Sequence, residues 1–163
     1  MRELLMILAL FFIASFVSAE TTERPLIEIG PKASLYMNDV YRFGIGLEAV
    51  VNPLRNVGFR LNLAEIIFDP TAFYFNREGS LDAFVYLPLR NIQLYIHSGI
   101  ALKTQETGTG TETRYSIRGG LGLNYPLNSK IHLFVEPGII LKGNGETDVP
   151  LQISGGARFR IIN

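Results

Sequence analysis

The 163-residue chain carries 15 basic and 15 acidic residues, a formal net charge of zero, and no cysteine. Charges spread evenly along the chain argue against nucleic acid as a partner, and the lack of cysteine excludes disulfides, thiolate metal sites and a lipid-modified cysteine behind a leader. A domain of this size must then hold itself together by backbone pairing and packing alone.

The first stretch, "MRELLMILALFFIASFVSA" (1–19), has Arg2 near its start, an apolar run from Leu4 to Ile13, and small residues at Val17-Ser18-Ala19. That order predicts a secretory signal cleaved before Glu20, since the run is short for a bilayer span and a cleavage site follows it. Residues 20–25 would then be a short periplasmic segment, and 26–163 one domain.

From there on the apolar residues recur with period two, not 3.6, so the elements are strands. "YRFGIGLEAVV" (41–51) puts Tyr41, Phe43, Ile45, Leu47, Ala49 and Val51 on one face, with Arg42, Glu48 and Val50 on the other. "VGFRLNLA" (57–64) repeats the pattern, Phe59 and Leu61 against Arg60 and Asn62, as do "IQLYIHSGIALK" (92–103), "RYSIRGGLGLNY" (114–125), "IHLFVEPGIILK" (131–142) and "LQISGGARFRII" (151–162). The expected strands are 26–36, 41–51, 57–68, 80–87, 92–103, 114–125, 131–142 and 151–162, and "TAFYFNREGS" (71–80) either extends the fourth strand or forms an aromatic loop. Pro137 cannot donate to a ladder, and a bulge is expected there.

Three similar turns join strands 2 to 3, 4 to 5 and 6 to 7: "NPLRNV" (52–57), "LPLRNI" (87–92) and "YPLNSKI" (125–131). Repetition of this kind marks a reused supersecondary unit, here a hairpin. The remaining connections, near 37–40, 69–79, 104–113 and 143–150, are mostly longer and polar. Tight turns at one end and longer loops at the other predict an all-β fold, an eight-stranded antiparallel up-and-down transmembrane β-barrel with both termini at the tight-turn end.

Strands of 10–12 residues suit a tilted crossing of a bilayer. The apolar face is almost free of charge, and Tyr41, Tyr115 and Tyr125 stand near strand ends, where an aromatic girdle belongs. The polar face would then line the lumen with Glu28, Arg42, Glu48, Arg60, Asp82, His97, Arg118, Glu136, Arg158 and Arg160, interleaved with glycines that make room for the large side chains. Residues equidistant from each turn would pair, placing Glu48 opposite Arg60, Asp82 opposite His97, and Glu136 opposite Gly120 and diagonal to Arg118. Closure would bring Glu28 near Arg158 or Arg160. An enclosed polar lumen demands such pairing, because a buried charge without a partner is costly.

Signal sequence, strand count, turn asymmetry, an inward Arg/Glu set and a strand ending the chain together resemble the small eight-stranded outer-membrane barrels, the family of OmpA-type transmembrane domains and OmpX-like proteins. The resemblance covers nearly all of the mature chain, and it implies export to the outer membrane of a Gram-negative bacterium. Outer-membrane lipids and the barrel-assembly machinery would be its partners, and it would act as a monomer. Such barrels usually close with an aromatic residue that the insertion machinery recognises, whereas this chain ends "ARFRIIN", with Phe159 before a terminal Asn163.

The sequence has no phosphate loop, nucleophile elbow or metal-ligand spacing. Its two histidines, His97 and His132, both fall on the inward face, where a lone imidazole serves as a hydrogen-bonding group. The expectation is a non-enzymatic protein without cofactor. Three roles follow: a structural or surface-interaction barrel, with Phe73, Tyr74 and Phe75 and the 104–113 loop as contact surfaces; a narrow pore for small solutes or ions; or a soluble periplasmic lipocalin-like carrier with its apolar face turned inward. The first is preferred, because eight strands enclose side chains rather than a channel.

Overall fold

The computed structural model describes residues 24–38, 40–69, 72–76, 78–88, 92–107, 110–143 and 149–162. The expected signal sequence, and all of the 20–25 segment but Arg24 and Pro25, lie outside the described residues.

The strands are β1 (Ile27–Met37), β2 (Arg42–Leu54), β3 (Val57–Asp69), β4 (Ala72–Asn76), β5 (Glu78–Pro88), β6 (Gln93–Thr107), β7 (Gly110–Pro126), β8 (Ile131–Lys142) and β9 (Leu151–Ile162). Every pairing is antiparallel. β9 returns to β1 and β2 pairs with β3, so the sheet closes on itself. β4 and β5 both lie on β3, along Glu65–Asp69 and Val57–Asn62 respectively, and together fill one position in the wall. The barrel is therefore eight-stranded.

Two segments between the expected strands are themselves paired as strands. Phe73, Tyr74 and Phe75 lie in β4, opposite Phe68, Ile67 and Ile66, because aromatic residues favour an extended backbone and β3 offers a facing apolar run. The expected fourth strand at 80–87 is thus only the lower part of that wall position. In the same way Thr104–Thr107 pairs with Gly110–Thr113, extending the β6–β7 hairpin through a segment whose polarity suggested a loop. Threonine is β-branched and favours an extended backbone.

The alternation runs as expected, apolar side out. Ile45, Leu61, Ile100, Leu121 and Leu141 stand about half exposed, whereas Glu48, Asp82 and Arg158 are wholly buried. A soluble domain would reverse this; a wall facing lipid requires it. Aromatic side chains mark both rims: Tyr41, Phe43, Phe68 and Tyr115 at the long-hairpin end, Phe59, Tyr125 and Phe159 toward the tight-turn end. Phe43 and Phe68 meet with ring centroids 6.2 Å apart.

Three corrections concern register. In each tight hairpin the pairing is two residues from the expected one: Val50, not Glu48, opposes Arg60; Gly99, not His97, opposes Asp82; and Gly138, not Glu136, opposes Gly120. The turns centre after the Pro-Leu pair rather than on it. Leu54 pairs with Val57 around Arg55–Asn56, and the Asn128 Oδ1 accepts from the backbone N–H of Lys130 and Ile131 at 2.8 and 3.0 Å. Asparagine folds the chain by such local bonds, while the prolines occupy the last or next-to-last position of their strands. A shift of two keeps every side chain on its face.

Pro137 causes no bulge. The β7–β8 ladder runs from Gly120–Gly138 to Leu123–Val135 without a slip, simply omitting the rungs beside the proline, and Pro137 still pairs with Ile153 of β9. A bulge occurs instead in β3, where the pairing with β2 slips between Leu47–Ala64 and Glu48–Asn62. Beyond it the alternation changes phase, and Glu65 and Ile67 turn inward.

Candidate functional site: the charged lumen

The lumen is filled in layers. At the tight-turn end, Glu28 of β1 lies 2.6 Å from His132 Nδ1 of β8 and accepts from the Asn52 side-chain amide at 3.1 Å. The same amide donates to the Pro25 carbonyl at 2.9 Å, and the Tyr86 hydroxyl donates to Asn52 Oδ1 at 3.0 Å. Arg24 lays its guanidinium over the Tyr86 ring, 3.4 Å from the centroid. Cation–π contact and hydrogen bonds together cap this end.

The middle layer holds most of the charge. Arg60 of β3 donates through Nε to Asp82 Oδ2 at 2.8 Å and through Nη1 to Glu48 at 3.4 Å and to Glu136. Arg158 of β9 donates to Glu48 at 2.6 Å and to Glu136 at 2.9 Å. The Tyr95 hydroxyl completes the set on Glu136 Oε1. Two guanidiniums thus bridge three carboxylates contributed by β2, β5 and β8. Arg158 also stacks over Phe134, 4.0 Å from its centroid, and Arg60 over Phe84 at 4.9 Å. Buried charges of this kind persist only when paired and hydrogen-bonded.

Toward the long-hairpin end the groups become more dispersed. Lys32 Nζ donates to Asn62 Oδ1 at 2.6 Å, the Tyr36 hydroxyl donates to Glu65 at 2.7 Å, and the Ser34 and Ser154 hydroxyls lie 3.0 Å apart. Between these groups and the middle layer is a cavity of about 10 Å³ bordered by Lys32, Arg60, His97, Arg118 and Glu136. That is the scale of one water molecule.

Of the ten residues expected inside, Glu28, Glu48, Arg60, Asp82, His97, Arg118, Glu136 and Arg158 are buried there. Arg160 is half-buried near the end of β9. Arg42 is exposed, contrary to expectation, because it opens β2 at the rim, where the wall no longer encloses it. The partners also differ: Asp82 meets Arg60 rather than His97, and Glu28 meets His132 and Asn52 rather than an arginine. Lys32, Glu65, Tyr36 and Asn52 also line the lumen and were not anticipated. Lys32 was accessible to the argument, being in phase with Glu28 and Gly30; Glu65 was hidden by the bulge.

No protein-family model and no curated protein matches the chain. Solved structures do. The N-terminal β-barrel domain of Pseudomonas aeruginosa OprF superposes with a TM-score of 0.57 at 15% identity, over 83% of this chain and 100% of that one. Neisserial surface protein A gives 0.59 at 11% identity over 83% and 96%, and a de novo designed transmembrane β-barrel gives 0.51 at 10% identity over 86% and 100%. The fold is that of the small eight-stranded outer-membrane β-barrels.

Proposed function

We propose that this chain is an integral outer-membrane protein, exported by its N-terminal signal, whose barrel is a non-conducting and non-enzymatic scaffold and whose long hairpins form its contact surface. The observation carrying this reading is the middle layer, in which Arg60, Arg158, Glu48, Asp82 and Glu136 close the cross-section with ion pairs and are each at most 3% exposed. Every Glu136 oxygen is engaged, so Glu136 is not poised as a general base. Support for the contact surface comes from the β6–β7 ladder, which continues to Thr107–Gly110 although β7–β8 pairing stops at Ser116–Lys142. The ribbon so formed stands beyond the wall.

Reconstitution in planar bilayers tests the reading. A scaffold gives no unitary current steps, whereas sustained steps at neutral pH would favour the narrow pore. Membrane fractionation with boiled and unboiled electrophoresis tests the compartment: a heat-dependent shift confined to the outer membrane is expected, and recovery in the soluble periplasm would revive the carrier.

A further inference from the structure

We propose, on the reading of the chain as an integral membrane barrel, that its tight-turn rim is a cationic collar that binds the headgroups of anionic phospholipids in the leaflet it faces. Charges spread evenly along the sequence are sorted by the topology. Each tight turn contains one base and no acid: Arg55 in 52–57, Lys130 in 125–131, and Arg90 in 87–92, which lies outside the described residues. Connections at the opposite end run the other way, with Glu106 and Glu112 in 104–113, Glu146 and Asp148 in 143–150, and Arg77 as the single base among the four. Strand ends there add Arg42, Lys103, Arg114 and Lys142, but with acids among them, as where Glu78 stands opposite Lys103.

The fold then gathers the bases of the tight-turn end. Arg160 donates its backbone N–H to the Lys130 carbonyl at 2.9 Å, which sets these two side by side, and Arg24 lies near enough to Arg55 for their charges to repel. Asn52 ties the chain around Arg24 to the Arg55 turn by donating to the Leu26 and Pro25 carbonyls. Because β9 pairs with β1, both pairs fall on one arc of the rim. The acid at this end among the described residues is Glu28, which is buried and held by His132 and Asn52; Glu20 and Glu23 lie outside them. Like charges gathered on one rim draw in an anion.

The neighbours of the bases say which kind. Leu54 is exposed beside Arg55, and Leu127 is exposed in the turn that holds Lys130. An apolar side chain entering hydrocarbon next to a base that stays at headgroup height suits a phosphate that carries acyl chains. A polymer of the cell wall would make no use of the leucines.

The test places the full chain in phosphatidylcholine vesicles at low salt, with traces of acyl-chain spin-labelled phosphatidylcholine or phosphatidylglycerol, and compares the fraction of each lipid immobilised at the protein. Phosphatidylglycerol should be held severalfold more strongly. Added salt should shrink that preference. Arg55→Gln combined with Lys130→Gln should remove most of it, and Arg114→Gln at the other rim should leave it in place. Equal immobilisation of the two lipids by the wild-type protein overturns the proposal; if the wild type also sediments with purified peptidoglycan and the double variant does not, the rim belongs to the cell wall. A preference lost with Arg114→Gln and kept by the double variant overturns it as well, by moving the site to the long-hairpin end. No immobilised lipid of either kind would mean that the barrel is not embedded, and would overturn the membrane reading together with the collar.

Discussion

Arg60 and Asp82 stand directly opposite one another on β3 and β5, with Nε donating to Oδ2 at 2.8 Å, and both side chains are shut off from solvent. The remaining guanidinium contacts go to Glu48 and Glu136, which Arg158 also serves, so Asp82 depends on Arg60 more than its neighbours do. Removing one member of a buried pair costs about 3–5 kcal/mol, because the other charge is stranded. Arg60→Met should therefore destabilise the barrel by about that amount. Adding Asp82→Asn should recover part of the loss, with a coupling of about 0.5–3 kcal/mol. Urea unfolding in micelles, followed by circular dichroism since the chain has no tryptophan, measures both. Strict additivity of the two changes would mean that the pair does not interact as the geometry requires.

Two glycines separate crowding inside the wall from space outside it. A Cβ on Gly30 would press into the backbone carbonyl of Ala157 on β9, which cannot yield without opening the β1–β9 seam. A Cβ on Gly119 would find only the His97 carbonyl, at 3.5 Å, an ordinary van der Waals distance. Gly30→Ala should cost about 1–3 kcal/mol through overpacking. Gly119→Ala should stay within about 0.5 kcal/mol of the wild type. The temperature at which the folded band disappears on gels ranks the variants, and equal losses would show that the seam is looser than the atoms imply.

In the β7–β8 turn one side-chain oxygen adds to the backbone bonds that Leu127 and Asn128 N–H donate to the Ile131 carbonyl. Asn128 Oδ1 accepts from two successive backbone N–H groups, of Lys130 and Ile131, doing locally what a ladder partner does elsewhere. Asn128→Ala should lose about 1 kcal/mol. Asn128→Asp, which keeps the acceptor, should lose much less. Unfolding midpoints compare them; identical losses would trace the effect to backbone propensity rather than to the bonds.

These residues also show what was legible beforehand. Strand positions and faces could be read because apolar residues recur with period two along most of each strand, and Glu48, Arg60 and Glu136 reveal themselves by being charged in phase with the glycines. Register could not be read so easily. A two-residue slip leaves every face unchanged, so only turn chemistry distinguishes 108 from 110 as the sum of paired numbers in the first hairpin, Val51–Val57 against Val51–Phe59. In the third hairpin Asn128, rather than the repeated proline, held that information. Glu65 was invisible because the β3 bulge reverses the phase, and a bulge has no dependable sequence mark. Arg42 misled for the opposite reason: it has the right phase but lies at the rim, and periodicity says nothing about height.

Height on the outer wall yields the remaining test. Leu121 lies on β7 midway between Tyr115 and Tyr125, with its side chain 52% exposed, so in a bilayer it should sit near the hydrocarbon centre. Leu127, 55% exposed, lies just past the end of the same strand, at the interface. Water would scarcely distinguish them, but the membrane does: an arginine costs about 2–4 kcal/mol at the midplane and about 0–1 near the interface. Leu121→Arg should therefore lose several times more stability than Leu127→Arg when unfolding is measured from lipid vesicles. Transferred to short-chain micelles, whose apolar belt adapts to a polar intruder, the gap should narrow. Two arginines with the same small effect in vesicles would mean that this wall faces water, and the apolar rows from Ile45 to Ile161 would then require a covering other than lipid.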